Sequence, residues 1–210
     1  MSSFVLRYFP IKARAEVSRL LLLSSGAKFQ DVMPDWPAEK DKQPMGQLPV
    51  LVETDEDGSI FELSDSIAIE KYLAAKFGLL VQTGLQDTAR ENQLRSQVED
   101  LIELWARYIF GTEDERESVY AKYKSAATNF VKYHEKILAE NGSNGHYFGA
   151  KTTYMDLCLF AFLIIMREPN EKAIPDRNEF FSEANAPGLN KVFQTVQSDP
   201  AAAAYVASLK

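Results

Sequence analysis

The alternation of apolar and polar residues changes character about a third of the way along the chain. Before residue 78 strand-like and helix-like runs alternate, and beyond residue 88 only helical spacing remains. Residues 5–9, Val-Leu-Arg-Tyr-Phe, are rich in strand formers and stop at Pro10, which predicts a strand followed by a loop. From Arg14 onward, Val17, Leu20, Leu21 and Leu23 fall at helical spacing, and Gly26 stands where a left-handed residue would end the helix. Residues 29–33 read as a second strand. Val50-Leu51-Val52 is a short buried strand with Pro49 at its entrance, where a residue with no N–H to give a sheet belongs. A turn at Asp55-Glu56-Asp57-Gly58 leads to a partner strand over residues 59–63. Ser64 or Asp65 then caps a helix containing Ile67, Ile69, Tyr72 and Leu73, which stops at Gly78.

The second part predicts a long helix over residues 89–110, another over 113–140, and a third after Thr153-Tyr154-Met155-Asp156, which has the form of a capping box. The run after that box is apolar on every face, so it marks the centre of its domain. Further helices are expected over residues 189–197 and from Pro200, where Asp199 precedes a proline at the first helical position. The expected organisation is residues 1–78 as a small α/β domain, 79–87 as a linker and 88–210 as an all-α domain. The order β-α-β, a short irregular piece, then β-β-α is that of a thioredoxin-like fold. In that fold the bond before the hairpin proline, here Leu48–Pro49, is cis, and the backbone of Leu48 is then placed to pair with an extended peptide.

Composition narrows the function. The 210 residues are 46% hydrophobic and 25% charged, the balance of a soluble globular protein. A net charge of −7 argues against a nucleic-acid surface. The single cysteine, Cys158, rules out an intrachain disulfide framework and suits a reducing compartment. It lies in the all-apolar helix and reads as a small buried hydrophobe. His134 and His146 have no partners at metal-ligand spacing, so no metal site is expected. The run Glu113-Asp114-Glu115 reads as a solvated helix start. The first residues lack the order of a signal peptide, and residues 157–166 are too short a run to span a bilayer, so a cytoplasmic protein without membrane contact is the expectation.

Several segments together carry a resemblance. Tyr8-Phe9-Pro10-Ile11-Lys12-Ala13-Arg14-Ala15-Glu16 followed by Arg19, Trp36-Pro37-x-x-Lys40, Gly46-Gln47-Leu48-Pro49, and Asp65-Ser66-x-Ala68-Ile69 resemble the tyrosine-type cytosolic glutathione transferases. The spacing is most similar to the sigma class, with pi next. The likeness is strongest over residues 4–78 and continues through Val98-Glu99-Asp100-Leu101 and the box at residues 153–156.

The resemblance implies a glutathione transferase with glutathione as co-substrate, no tightly bound cofactor, a small hydrophobic electrophile as second substrate and a homodimer. It implies that Tyr8 donates a hydrogen bond to the glutathione sulfur and that Arg14 adds positive charge nearby. Trp36, Lys40 and Gln47 would meet the glycyl carboxylate, Leu48 before Pro49 the peptide backbone, and Asp65 and Ser66 the γ-glutamyl end. Asp100 would reach the site of the neighbouring subunit, and Phe9, Ile11 and Phe110 would line the electrophile pocket. Departures from the family pattern are Asp65 where Gln or Glu is usual, Ala13 for Gly, and Gly149-Ala150 for Gly-Asp. The alternatives are a glutathione-dependent isomerase or peroxidase of the sigma type, which would use the same thiolate, or a non-catalytic glutathione-transferase-like binding or structural protein, as lens crystallins derived from the family are. A disulfide oxidoreductase is unsupported, because residues 1–78 contain no cysteine.

By residue type alone other roles stand open. Tyr8 suits a strand aromatic, Arg14 a partner of Glu16 or Asp65, and Trp36 a surface anchor or core plug. Lys40 and Lys42 differ only in spacing.

Overall fold

The computed structural model describes residues 2–169 and 173–208. They fall into two compact units, Met1–Leu80 with Pro200–Lys210, and Val81–Asp199.

The first unit is built on β1 (Ser3–Arg7), α1 (Glu16–Ser24), β2 (Phe29–Val32), a 3-10 turn (Lys40–Lys42), β3 (Val50–Thr54), β4 (Ile60–Ser64) and α2 (Ser66–Lys76). The four strands form one sheet in the order β2-β1-β3-β4, with β1 and β2 parallel and the other neighbours antiparallel. β1 and β3 take the central places, which explains why Leu6, Val50 and Leu51 are fully buried while β4 exposes Ile60 and Phe61. α1 buries Leu20, Leu21 and Leu22, and α2 buries Ile69 and Leu73. Gly26 and Gly78 carry φ of 69°, the left-handed ends expected of both helices.

β1 lies two residues earlier than the run 5–9 suggested, because β2 stops pairing at Arg7↔Val32 and leaves Tyr8 and Phe9 beyond the sheet's edge. A larger difference is at the chain's end. Helix α8 (Pro200–Ser208) packs on α1 and belongs to the first unit, not to the expected helical domain 88–210. The deciding contact, from Tyr205 to Glu16, joins residues 189 apart, a separation that local periodicity cannot register.

The second unit comprises α3 (Leu85–Phe110), α4 (Glu113–Glu140), α5 (Tyr154–Arg167), the short α6 (Arg177–Phe180) and α7 (Pro187–Gln197). α3 begins four residues before the expected 89, inside the stretch read as linker, because Gly84 supplies the φ of 131° that turns the chain into it. Every residue from Tyr154 to Met166 is buried, as an all-apolar helix requires. Phe162 meets Phe181 edge-on at 5.1 Å and Phe130 at 5.6 Å, and Phe160 meets Phe193 at 4.6 Å. At the start of α5 the buried Asp156 carboxylate accepts the Thr153 amide at 2.7 Å and the Tyr147 amide at 2.9 Å, so the capping residue also ties down the preceding loop. Cys158 is buried.

Candidate functional site

Three backbone segments meet at one end of the sheet. The register pairs Arg7 with Val50 and Val50 with Ser64, and it pairs Arg7 with Val32 on the other side. Tyr8, the Leu48-Pro49 step and Asp65 therefore follow side by side where β1 ends, β3 begins and β4 ends. Residues far apart in sequence become neighbours because a central antiparallel pair fixes their order.

Tyr8 is anchored by its amide, which donates to the Val32 carbonyl at 3.0 Å. Its ring is 6% exposed. The hydroxyl oxygen accepts the Arg14 backbone N–H at 3.3 Å. That bond occupies a lone pair and leaves the hydroxyl proton free to donate. Burial pushes the phenol above its ordinary value, an effect the Arg14 amide and the nearby Arg14 and Arg19 charges partly oppose. The group is thus a neutral donor at physiological pH. The Tyr8 ring meets Phe9 at 5.5 Å, and Phe9 meets Trp36 edge-on at 5.7 Å, which makes a short aromatic row.

Leu48–Pro49 is cis, as the thioredoxin-like order predicts, and Trp36–Pro37 is cis as well. Leu48 is half-buried, Pro49 is buried, and the Leu48 amide and carbonyl enter no backbone pair among the described residues. Gln47 is exposed. Lys40 and Lys42, alike by composition, are separated by their surroundings. The Lys42 ammonium pairs with Glu39 at 3.1 Å, whereas the Lys40 stem runs past Gly46, where an added Cβ would lie 3.9 Å from Lys40 Cε.

Asp65 has φ of 77° and ψ of 123°, a conformation that L-residues adopt only at a cost of about 1–3 kcal/mol. Its Oδ1 accepts the Ala68 amide at 3.0 Å and caps α2. Ser66, the first residue of α2, is buried. The helix start therefore follows a strained turn at the sheet's end, and a helix N-terminus suits an anion. A sequence signal for the capping was present; none existed for the strain.

Arg14 is exposed, and Glu16, one of the two carboxylates open to it by residue type, is committed to Arg19. The side chain of Glu16 is buried against Arg19, 3.1 Å away, and Arg19 also holds Asp31 at 2.6 Å. Arg19 donates further to the carbonyls of Phe9 at 3.0 Å and Ile11 at 2.9 Å, so one guanidinium organises the loop between Tyr8 and α1. Reading residue types alone missed that role of Arg19 and any role for Tyr205. Ile11 is exposed in the first unit. In the second, Asp100 is exposed on α3, and Phe110 is 71% exposed at its end, against Trp105. No group of metal-binding side chains occurs among the described residues, and no helix among them is long and apolar enough to cross a membrane.

A four-stranded thioredoxin-like sheet, with a helical unit following it in the chain, defines the architecture of glutathione transferases. Residues 99–209 match the family model described as the glutathione S-transferase C-terminal domain. Glutathione S-transferase 1 of Ascaris suum is 34% identical over 167 residues, 76% of this chain and 78% of that protein. The solved structure of a Fasciola hepatica sigma-class glutathione transferase superposes with a TM-score of 0.81 at 26% identity, covering 99% of this chain and 96% of that one. A monomeric glutathione transferase of the hookworm Necator americanus superposes at 0.78 with 25% identity, covering 99% and 98%. The chain belongs to the glutathione S-transferase family and is a glutathione transferase on that membership.

Proposed function

We propose that this chain joins the sulfur of glutathione to hydrophobic electrophiles, with Tyr8 as the donor that stabilises the thiolate. A thiol with a reference pKa of about 8.5 is mostly protonated at neutral pH, and the thiolate is the nucleophile. Lowering that pKa by about two units requires about 2.7 kcal/mol of preferential thiolate stabilisation, within reach of one charge-assisted hydrogen bond, a nearby cation and a helix terminus. The observation that carries this reading is the Tyr8 hydroxyl: its oxygen accepts the Arg14 amide, which leaves its proton to donate, on a residue that follows β1 at the end of the sheet where β3 begins and β4 ends.

The rest of the tripeptide follows the chemistry of those groups. Its cysteinyl backbone pairs with Leu48 before Pro49. Its glycyl carboxylate meets Lys40, the Trp36 indole N–H and Gln47. Its γ-glutamyl carboxylate sits at the α2 start on Ser66, while the ammonium takes Asp65, whose Oδ1 is committed to the cap. Arg14 contributes charge. Phe9 and Ile11 supply apolar surface to the electrophile, and Asp100 reaches the site of a second copy in a cytoplasmic homodimer. In the reaction the thiol proton leaves to solvent, the sulfur lone pair forms the S–C bond, and the leaving group departs with its bonding pair. Catalysis rests on positioning and anion stabilisation, with no covalent enzyme intermediate. Conjugation of glutathione to a simple aromatic halide, assayed in wild type and Tyr8→Phe, tests this. A loss of about a hundredfold in kcat with glutathione KM nearly kept is expected for removing one such donor, and equal rates would overturn it.

A further inference from the structure

The C-terminal helix reaches the Tyr8 loop through two buried charges. The Tyr205 hydroxyl on α8 donates to Glu16 Oε1 at 2.7 Å. The Glu16 side chain has no exposed surface, and its other oxygen accepts from Arg19 at 3.1 Å. The same guanidinium donates to the Phe9 and Ile11 carbonyls and lies 5.6 Å from the centre of the Tyr8 ring. The Ile11 amide in turn bonds the Phe9 carbonyl at 2.8 Å, and the Glu16 amide bonds Ala13 at 3.0 Å. A path of hydrogen bonds therefore runs from Tyr205 through Glu16 and Arg19 to the segment that delivers the Arg14 amide to the Tyr8 hydroxyl.

We propose that Tyr205 is a positioning residue for Tyr8: the terminal helix, through Glu16 and Arg19, fixes the loop on which the thiolate-stabilising hydroxyl depends. This rests on the reading of Tyr8 given above. Glu16 is the member that makes the path sensitive. A carboxylate held in apolar surroundings stays charged only while its partners remain, and a buried ion pair deprived of one hydrogen bond loosens as a unit. Burial pushes the Glu16 carboxyl up, and the Tyr205 hydroxyl is the largest influence opposing this, followed by Arg19 and Lys12. Tyr205→Phe keeps the ring's packing on α1 and removes only the donor, so it separates alignment from docking.

The experiment measures the ultraviolet absorbance of bound glutathione thiolate against pH, with kcat and KM for conjugation, in the full-length protein. Wild type, Tyr8→Phe, Tyr205→Phe, Glu16→Gln and both double variants of Tyr205→Phe are compared. If Tyr8→Phe leaves the bound thiol's pKa unchanged, the Tyr8 reading fails whatever Tyr205 does. Given a shift there, Tyr205→Phe is expected to raise the bound thiol's pKa part of the way and to lower kcat about three- to tenfold, the range of one net hydrogen bond, with glutathione KM within about twofold. In the Tyr8→Phe background the same change is expected to do nothing further, and in Glu16→Gln, whose amide oxygen still accepts from Tyr205 but carries no charge for Arg19 to hold, it is expected to do less than in wild type. An unchanged thiol pKa and kcat in Tyr205→Phe, even with a lowered Tm, overturns the proposal and leaves the tyrosine a docking contact. So does an equal fractional loss in all three backgrounds, which remains readable if one single variant is poorly folded.

Discussion

The hydroxyl of Tyr8 accepts its hydrogen bond from the backbone N–H of Arg14, 3.3 Å away, and not from the arginine side chain. That bond survives any replacement of the side chain except proline. Arg14→Ala therefore removes charge and leaves the tyrosine aligned. We expect a loss of about tenfold in kcat/KM, smaller than that of Tyr8→Phe and reduced further at high salt, since an exposed charge is screened over about 8–10 Å. Steady-state rates at low and high ionic strength check this; a loss as deep as that of Tyr8→Phe would place the guanidinium, not the amide, in command of the hydroxyl.

The two lysines of the 3-10 turn make a second comparison. Lys42 is paired with Glu39, and Lys40 lies along Gly46 near the proposed glycyl carboxylate. Lys40→Ala is expected to raise glutathione KM about five- to tenfold through the loss of one charge-assisted contact, with kcat little changed. Lys42→Ala should alter KM by less than about twofold, because an exposed pair contributes little. Isothermal titration with glutathione reads both, and equal effects would discard the assignment.

At Asp65 the cap and the backbone oppose one another. Asp65→Ala loses the bond to the Ala68 amide and keeps the left-handed strain, so a stability loss of about 1 kcal/mol is expected. Asp65→Gly loses the same cap yet adopts φ of 77° freely, so its stability should lie close to wild type. Both variants lack the acceptor for the ammonium, and glutathione KM should rise in both. Denaturation midpoints separate the two changes in stability, and a shared KM rise identifies the carboxylate as a ligand.

His134 gives the second unit a pH dependence. Its Nδ1 lies 2.6 Å from the Tyr147 hydroxyl and its Nε2 lies 2.9 Å from Gln97 Oε1, so the neutral ring donates from Nε2 and accepts at Nδ1. Burial lowers its pKa to about 3. The folded ring stays neutral while the unfolded one takes up a proton below about 6.5, so stability falls as the pH drops through that value. Between pH 7 and 5 the loss from this residue is about 2 kcal/mol. His134→Gln should be less stable at pH 7 but should lose less on acidification, and parallel urea midpoints at both pH values would refute the assignment.

Much of the fold was legible because it is local. Helical spacing marked α1, α2, α4 and α7 to within a few residues, Gly26 and Gly78 ended their helices, and the all-apolar run after Thr153 became the buried α5. The motifs carrying Tyr8, Trp36, Lys40, Leu48-Pro49 and Asp65-Ser66 could be read as well, since each is a few adjacent residues with a distinct chemistry. That Tyr8, Pro49 and Asp65 follow side by side at one end of the sheet could not be read, because strand register depends on pairings between distant residues. The tertiary structure alone decided that Glu16 is buried against Arg19 and that α8 returns to α1. The Glu16–Arg19 pairing and the return of α8 turn on burial, and a charge is buried only where the folded chain supplies its partner, which sequence spacing does not record.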